Sequence, residues 1–113
     1  MEDIVKEEYD DNGDEIYREY SNENRYKYEY DNMSNVIYSE DSDGDWGKYE
    51  YNDKGDMTYS ENSYGYWGKY EYNDKGHRTY FENSFGDWCK QEYDDIGNIT
   101  YYEHSDGLVI VYF

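Results

Sequence analysis

The sequence contains no proline and a single cysteine, and alanine is absent as well. Leucine occurs once, at Leu108. Without alanine and leucine an α-helical bundle lacks its strongest helix formers, so an all-α fold is excluded. Cys89 has no second cysteine to pair with, which fits a reducing compartment. No apolar run approaches the ~20 residues of a membrane-spanning helix. The acidic start, Met1 to Asp10, lacks the apolar stretch of a signal peptide. These absences predict a cytoplasmic protein. Positive charge is scarce too: 10 Lys and Arg stand against 29 Asp and Glu, a net charge of -19. Such a chain repels phosphate, which excludes direct nucleic-acid or anionic-membrane binding as its expected role.

Few aliphatic residues and a large charge are the composition of a disordered chain. The aromatic content of 22%, with 19 tyrosines in 113 residues, argues for order instead. The order lies in a repeat. Trp46, Trp67 and Trp88 recur every 21 residues, and that period divides the chain into units 7–27, 28–48, 49–69, 70–90 and 91–111. Five columns are invariant across the units. They are Glu8/29/50/71/92, Tyr9/30/51/72/93, Tyr17/38/59/80/101, Glu19/40/61/82/103 and Ser21/42/63/84/105. The units are copies, and residues 1–113 form one repeat domain.

Each unit reads as two short strands and two turns. In the third, Tyr49-Glu50-Tyr51 and Met57-Thr58-Tyr59-Ser60 alternate with period two around Asn52-Asp53-Lys54-Gly55. A three-residue loop with Gly55 in a bulge pairs Tyr51 with Met57 and Tyr49 with Tyr59. One face then holds Tyr49, Tyr51, Met57 and Tyr59, and the other Lys48, Glu50, Thr58 and Ser60. The expected fold is all-β: an antiparallel meander of about ten strands, with hairpin turns at 10–14, 31–35, 52–56, 73–77 and 94–98. At ~4.8 Å per strand it extends ~48 Å, open, coiled or closed as a barrel. The tyrosine columns are the expected core. The tryptophan column falls on the polar face by alternation, exposed unless a bulge reverses it. Residues 107–113, ending in Leu108-Val109-Ile110-Val111-Tyr112-Phe113, read as a C-terminal cap strand.

The segments EYDDIGNITYYEHSDG (92–107) and EYDDNGDEIYREYS (8–21) resemble the tyrosine-aspartate (YD) repeats of the RHS type. The Tyr/Gly/Trp-rich hairpins are also similar to MORN repeats, and short acidic arrays of this kind resemble proteins of phage and mobile elements. The resemblance implies β-hairpin repeats and says little about activity. A phage origin would place the chain in the cytoplasm of a bacterial host.

Catalytic signatures are missing. There is no G-x-S-x-G, no phosphate-binding glycine loop and no H-E-x-x-H. His77 and His104 occupy non-equivalent columns, and Cys89 stands where Gly47 and Gly68 stand in other units. The expectation is a non-enzyme without a cofactor. Asp10-Asp11-Asn12-Gly13-Asp14 and Asp41-Ser42-Asp43-Gly44-Asp45 resemble halves of calcium loops but lack the full D-x-[DN]-x-[DN]-G-x5-E spacing. No metal site is therefore expected, with Asp41, Asp43 and Asp45 the nearest approach to one.

The charge is the main functional lead. It exceeds the ~2–8 that solubility requires and collects in units one, two and five. Spread over ~48 Å it gives one charge per ~2.5 Å, against ~1.7 Å for duplex DNA. The leading expectation is an acidic inhibitor that mimics nucleic-acid charge toward a basic, nucleic-acid-handling protein, of the anti-restriction, anti-CRISPR or immunity type. Its partner-binding residues would be Asp10, Asp11, Asp14, Glu29, Asp31, Glu40, Asp41, Asp43, Asp45, Trp46 and Trp67. The alternative is a structural β-repeat module, with or without calcium, whose charge serves solubility.

Overall fold

Turn chemistry sets the architecture. Every first-turn segment expected from the sequence is a hairpin: in each, the first residue donates its N–H to the carbonyl of the fifth, as Asn52 does to Asp56 (2.9 Å). The side chain of that first residue accepts two more backbone N–H groups. Asn52 Oδ1 takes those of Lys54 and Asp56 at 3.0 Å each. Gly55 at the fourth position has φ +88°, the left-handed conformation that closes a type I turn with a bulge. The second turns of units two, three and four repeat this design, as at Asn62-Ser63-Tyr64-Gly65-Tyr66, while those of units one and five keep the backbone bond but begin at Tyr20 and His104. Asp and Asn alternate freely at the first position because either offers the oxygen.

A computed structural model describes residues 3–112. The turns connect eleven strands: β1 (Ile4–Tyr9), β2 (Glu15–Tyr20), β3 (Arg25–Tyr30), β4 (Val36–Asp41), β5 (Trp46–Tyr51), β6 (Met57–Asn62), β7 (Trp67–Tyr72), β8 (Arg78–Asn83), β9 (Trp88–Tyr93), β10 (Ile99–His104) and β11 (Val109–Val111). All pair antiparallel with their chain neighbours in one open sheet, β1 at one edge and β11 at the other. The sheet is not a barrel, and no described helix is long and apolar enough to cross a membrane. The expected cap is a short eleventh strand on β10, with Leu108, Val109 and Val111 about half exposed; Phe113 lies outside the described residues.

The register departs from expectation beyond the turn. Tyr51 faces Met57 as expected, but Thr58 is an extra residue, so Glu50 faces Tyr59 and Tyr49 faces Ser60. This second bulge recurs at Ile16, Ile37, Thr79 and Thr100. A one-residue shift moves every later side chain to the other face. Tyr59 therefore lies with Lys48 and Glu50, and both faces carry tyrosine. The shift also places Lys48 directly across from Glu61, as Lys6 is from Glu19, Lys27 from Glu40, Lys69 from Glu82 and Lys90 from Glu103. Lysine is thus a sixth invariant column, hidden when the units are cut after residue 6. Opposite charges in register stabilise a strand pair.

The other invariant columns now have physical reasons. The Tyr17, Tyr38, Tyr59, Tyr80 and Tyr101 hydroxyls each donate to the glutamate two residues on, at 2.8–3.0 Å. Ser63 Oγ accepts the Trp46 N–H at 3.2 Å while Ser63 N–H donates to Trp46 O, which fixes one hairpin to the next. Ser21, Ser42 and Ser84 do the same. The Tyr72 hydroxyl donates to Met57 O (2.8 Å) and Tyr93 to Arg78 O (2.8 Å), tying units four and five each to the one before.

The expected tyrosine core does not exist. The sheet is a single layer of 59 × 29 × 23 Å, and no described side chain is fully buried. Among the described residues Cys89 and Asn83 are the most buried non-glycine ones, each 8% exposed. Tyrosine rings cover neighbouring strands rather than an interior. At Gly68 an added Cβ would lie 2.7 Å from the Tyr70 hydroxyl, because that ring folds back over the bare glycine backbone.

Candidate functional site: an acidic, tyrosine-walled cleft in unit two

The meander sends first turns to one long rim of the sheet and second turns to the opposite rim. Asp10, Asp11, Asp14 and Asp31 lie on the first-turn rim, and Asp41, Asp43 and Asp45 on the second. A six-residue strand, roughly 20 Å long, separates them. Asp10, Asp11 and Asp14, expected among the same partner-binding residues, are therefore set apart from Asp41, Asp43 and Asp45 by the width of the sheet. Glu29 and Glu40 project from β3 and β4 on the lysine face, Glu40 accepting from Tyr38. Trp46 and Trp67 also lie on that face, half-buried beneath Lys48 and Lys69, whose ammonium groups sit 5.1 and 5.2 Å from the indole ring centres. No bulge reverses the tryptophan column.

The structure separates Trp46 from its neighbour Gly47, which faces the other way with Tyr49. On that second face Tyr26 pairs with Asp41, Tyr28 with Ser39, Ser39 with Gly47, and Gly47 with Asn62. Ser39 is small, and the Tyr49 ring folds back over the bare backbone of Gly47, which leaves open space between that ring and those of Tyr26 and Tyr28. The result is a cleft of about 310 Å³, bordered at the rim by Asp41, Asp45 and Tyr64. Hydrogen bonding to Asp45 pushes the Tyr64 pKa up, and the charges of Asp45, Asp41 and Asp43 push it in the same direction.

The other units supply an internal control. Unit three has Asn62, Tyr64 and Tyr66 where unit two has Asp41, Asp43 and Asp45, and its cleft shrinks to about 180 Å³. Unit one has Tyr20, Asn22 and Asn24, with Tyr26 in the column of Gly47. Units four and five replace Ser39 with Phe81 and Tyr102. Only unit two joins three acids to a small-residue floor. Sequence reasoning found the acids but missed Tyr26, Tyr28, Ser39, Gly47 and Tyr49. The usable signal was small residues in two columns, which unit three shares as Ser60 and Gly68, joined to three acids that unit two alone carries.

Calcium chemistry finds little here. Asp41 Oδ1 already accepts the Asp43 and Asp45 N–H groups at 2.9 and 3.1 Å. Among the described residues no group of three His, Cys, Asp or Glu side chains is placed to hold a metal ion.

No protein-family model and no curated protein matches the chain. Solved structures do. The chain is similar to part of a crystal structure of TcdB2-TccC3-TEV, with TM-score 0.71 and 16% identity over 96% of this chain. It is similar also to TcdB2-TccC3, at TM-score 0.70 and 15% identity over 96%, and to TcdB2-TccC3-Cdc42, at 0.69 and 17% over 90%. In each case the matched region is 7% of the larger chain. At this identity the likeness is one of fold, an all-β antiparallel meander in keeping with YD-type hairpins.

Proposed function

We propose that the chain is a non-enzymatic structural β-repeat strip, whose role is to present a long sheet surface to other protein. One observation carries this reading: among the described residues eleven strands form a single layer with no fully buried side chain, so both faces stay available. Globular domains bury one face of a sheet against a second layer. The similar meander found within the much larger TcdB2-TccC3 chains supports a part built to be combined with more protein. The negative charge keeps this tyrosine-rich sheet soluble and discourages edge-to-edge association.

Nucleic-acid mimicry has the -19 charge in its favour. The first-turn rim is not a continuous acidic stripe, because Lys54 and Lys75 occupy its middle and donate to the carbonyls of Asp74 and Asp95. Retention of host-lysate proteins at two salt concentrations tests the choice. The structural reading predicts no basic nucleic-acid enzyme whose capture falls steeply with salt; such a partner would replace it with mimicry. The structural reading also predicts no calcium-dependent rise in melting temperature.

A further inference from the structure

We propose that the unit-two cleft binds a guanidinium group, the terminus of an arginine side chain. The site belongs to one unit and stands whether or not the array as a whole is a structural strip. Its volume, about 310 Å³, lies at the low end of ligand pockets, the size for a side chain rather than a large molecule. Its walls are the rings of Tyr26, Tyr28 and Tyr49, and aromatic faces attract a flat, weakly hydrated cation. Its rim supplies the acceptors. The Asp41 Oδ1 atom is committed to the turn, but no described residue donates to Asp41 Oδ2 or to the Asp43 carboxylate. Paired carboxylate oxygens suit the forked donors of arginine better than the point charge of lysine. Among the described residues no cation lines the cleft, and Arg18, across from Tyr26 on the same face, is held by Glu15 and the Tyr20 hydroxyl. Arg25, whose backbone bonds Ser42 beside the turn, faces Glu19 on the opposite side of the sheet.

The repeats provide substitutions the fold already accepts. Asp41→Asn with Asp45→Tyr gives the rim two of its three unit-three residues and leaves only the Asp43 carboxylate. Gly47→Tyr sets a second ring beside Tyr49, as Tyr26 stands beside Tyr28 in unit one; it displaces the Tyr49 ring from the cleft and leaves every charge in place. The control, Asp53→Asn with Asp56→Asn, removes two charges from the opposite rim. Titration with N-acetyl-arginine amide at constant ionic strength, followed by amide chemical shifts, is expected to show saturable binding at Tyr28, Gly47 and Tyr49. The rim variant and Gly47→Tyr should each bind at least tenfold more weakly, with circular dichroism and melting confirming that they fold. The control should bind as the parent does. N-acetyl-lysine amide should bind several-fold more weakly than the arginine probe. Unsaturable shifts, equal affinity for the lysine probe, equal weakening in the control, or undiminished binding to folded Gly47→Tyr would each overturn the assignment.

Discussion

At Ser34 the backbone does what eight glycines do elsewhere. Its φ is +65° at the fourth turn position, where Gly55 and Gly76 have +88° and +87°. A left-handed conformation costs a non-glycine residue about 1–2 kcal/mol, partly offset because glycine loses more entropy on folding. Ser34→Gly should therefore raise stability by roughly 0.5–1 kcal/mol in urea unfolding. Gly55→Val should lower it by roughly 1–2 kcal/mol. Equal stability in both variants would refute the turn geometry. At the first turn position, backbone N–H groups, that of Asn35 foremost and then Met33, hold the Asp31 carboxyl below the usual range; Asn98 and Ile96 do the same for Asp94. Their folded pKa values lie under the unfolded one. The resulting stabilisation is present above about pH 4 and fades as pH falls through the folded values. Asp31→Asn with Asp94→Asn, copying Asn52 and Asn73, should remove that part of the acid sensitivity while keeping the turns. An unchanged acid limb of the stability profile would contradict it. Turns were the most legible part of the sequence, because Asp or Asn three residues before Gly is a local signal. Ser34 and Glu23, both at positive φ, break that pattern.

Between elements, the serine column joins one hairpin to the next. Ser63→Ala removes the acceptor for Trp46 N–H but leaves the backbone bond from Ser63 N–H. The expected loss is about 0.5–1.5 kcal/mol, read by urea unfolding, and no loss would make the column a matter of turn preference alone. Strand number, order and turn placement were readable from period and alternation. Register was not. Thr58 and Ile37 are β-branched residues inside strand-like runs, with no mark that they are the extra residue of a bulge. The pairing of the lysine column with glutamates 13 residues on escaped because the two meet only after that shift. The cleft escaped for the same reason. Tyr26, Ser39 and Gly47 are spread over 22 positions of sequence and become neighbours only through cross-strand pairing.

For the whole molecule, stability should be a sum of neighbour interfaces, since each strand touches only the next. Deleting residues 49–69 joins Lys48 to Tyr70 and preserves the pattern Lys-Tyr-Glu-Tyr-Asn. The shortened chain should keep a β-sheet spectrum and melt at a lower temperature; loss of all structure would show a cooperative core instead. Absence of a core was the feature least visible in composition, because 22% aromatic content normally fills an interior. Here those rings cover backbone along both faces of one layer. Small-angle X-ray scattering on the monomer tests this most directly. The single-layer sheet has a radius of gyration of 18.7 Å and a longest dimension of 59 Å. A compact domain of this length has a radius near ~13 Å. A measured value close to 19 Å, with an elongated distance distribution, is the expected result; a globular profile near ~13 Å would contradict the account.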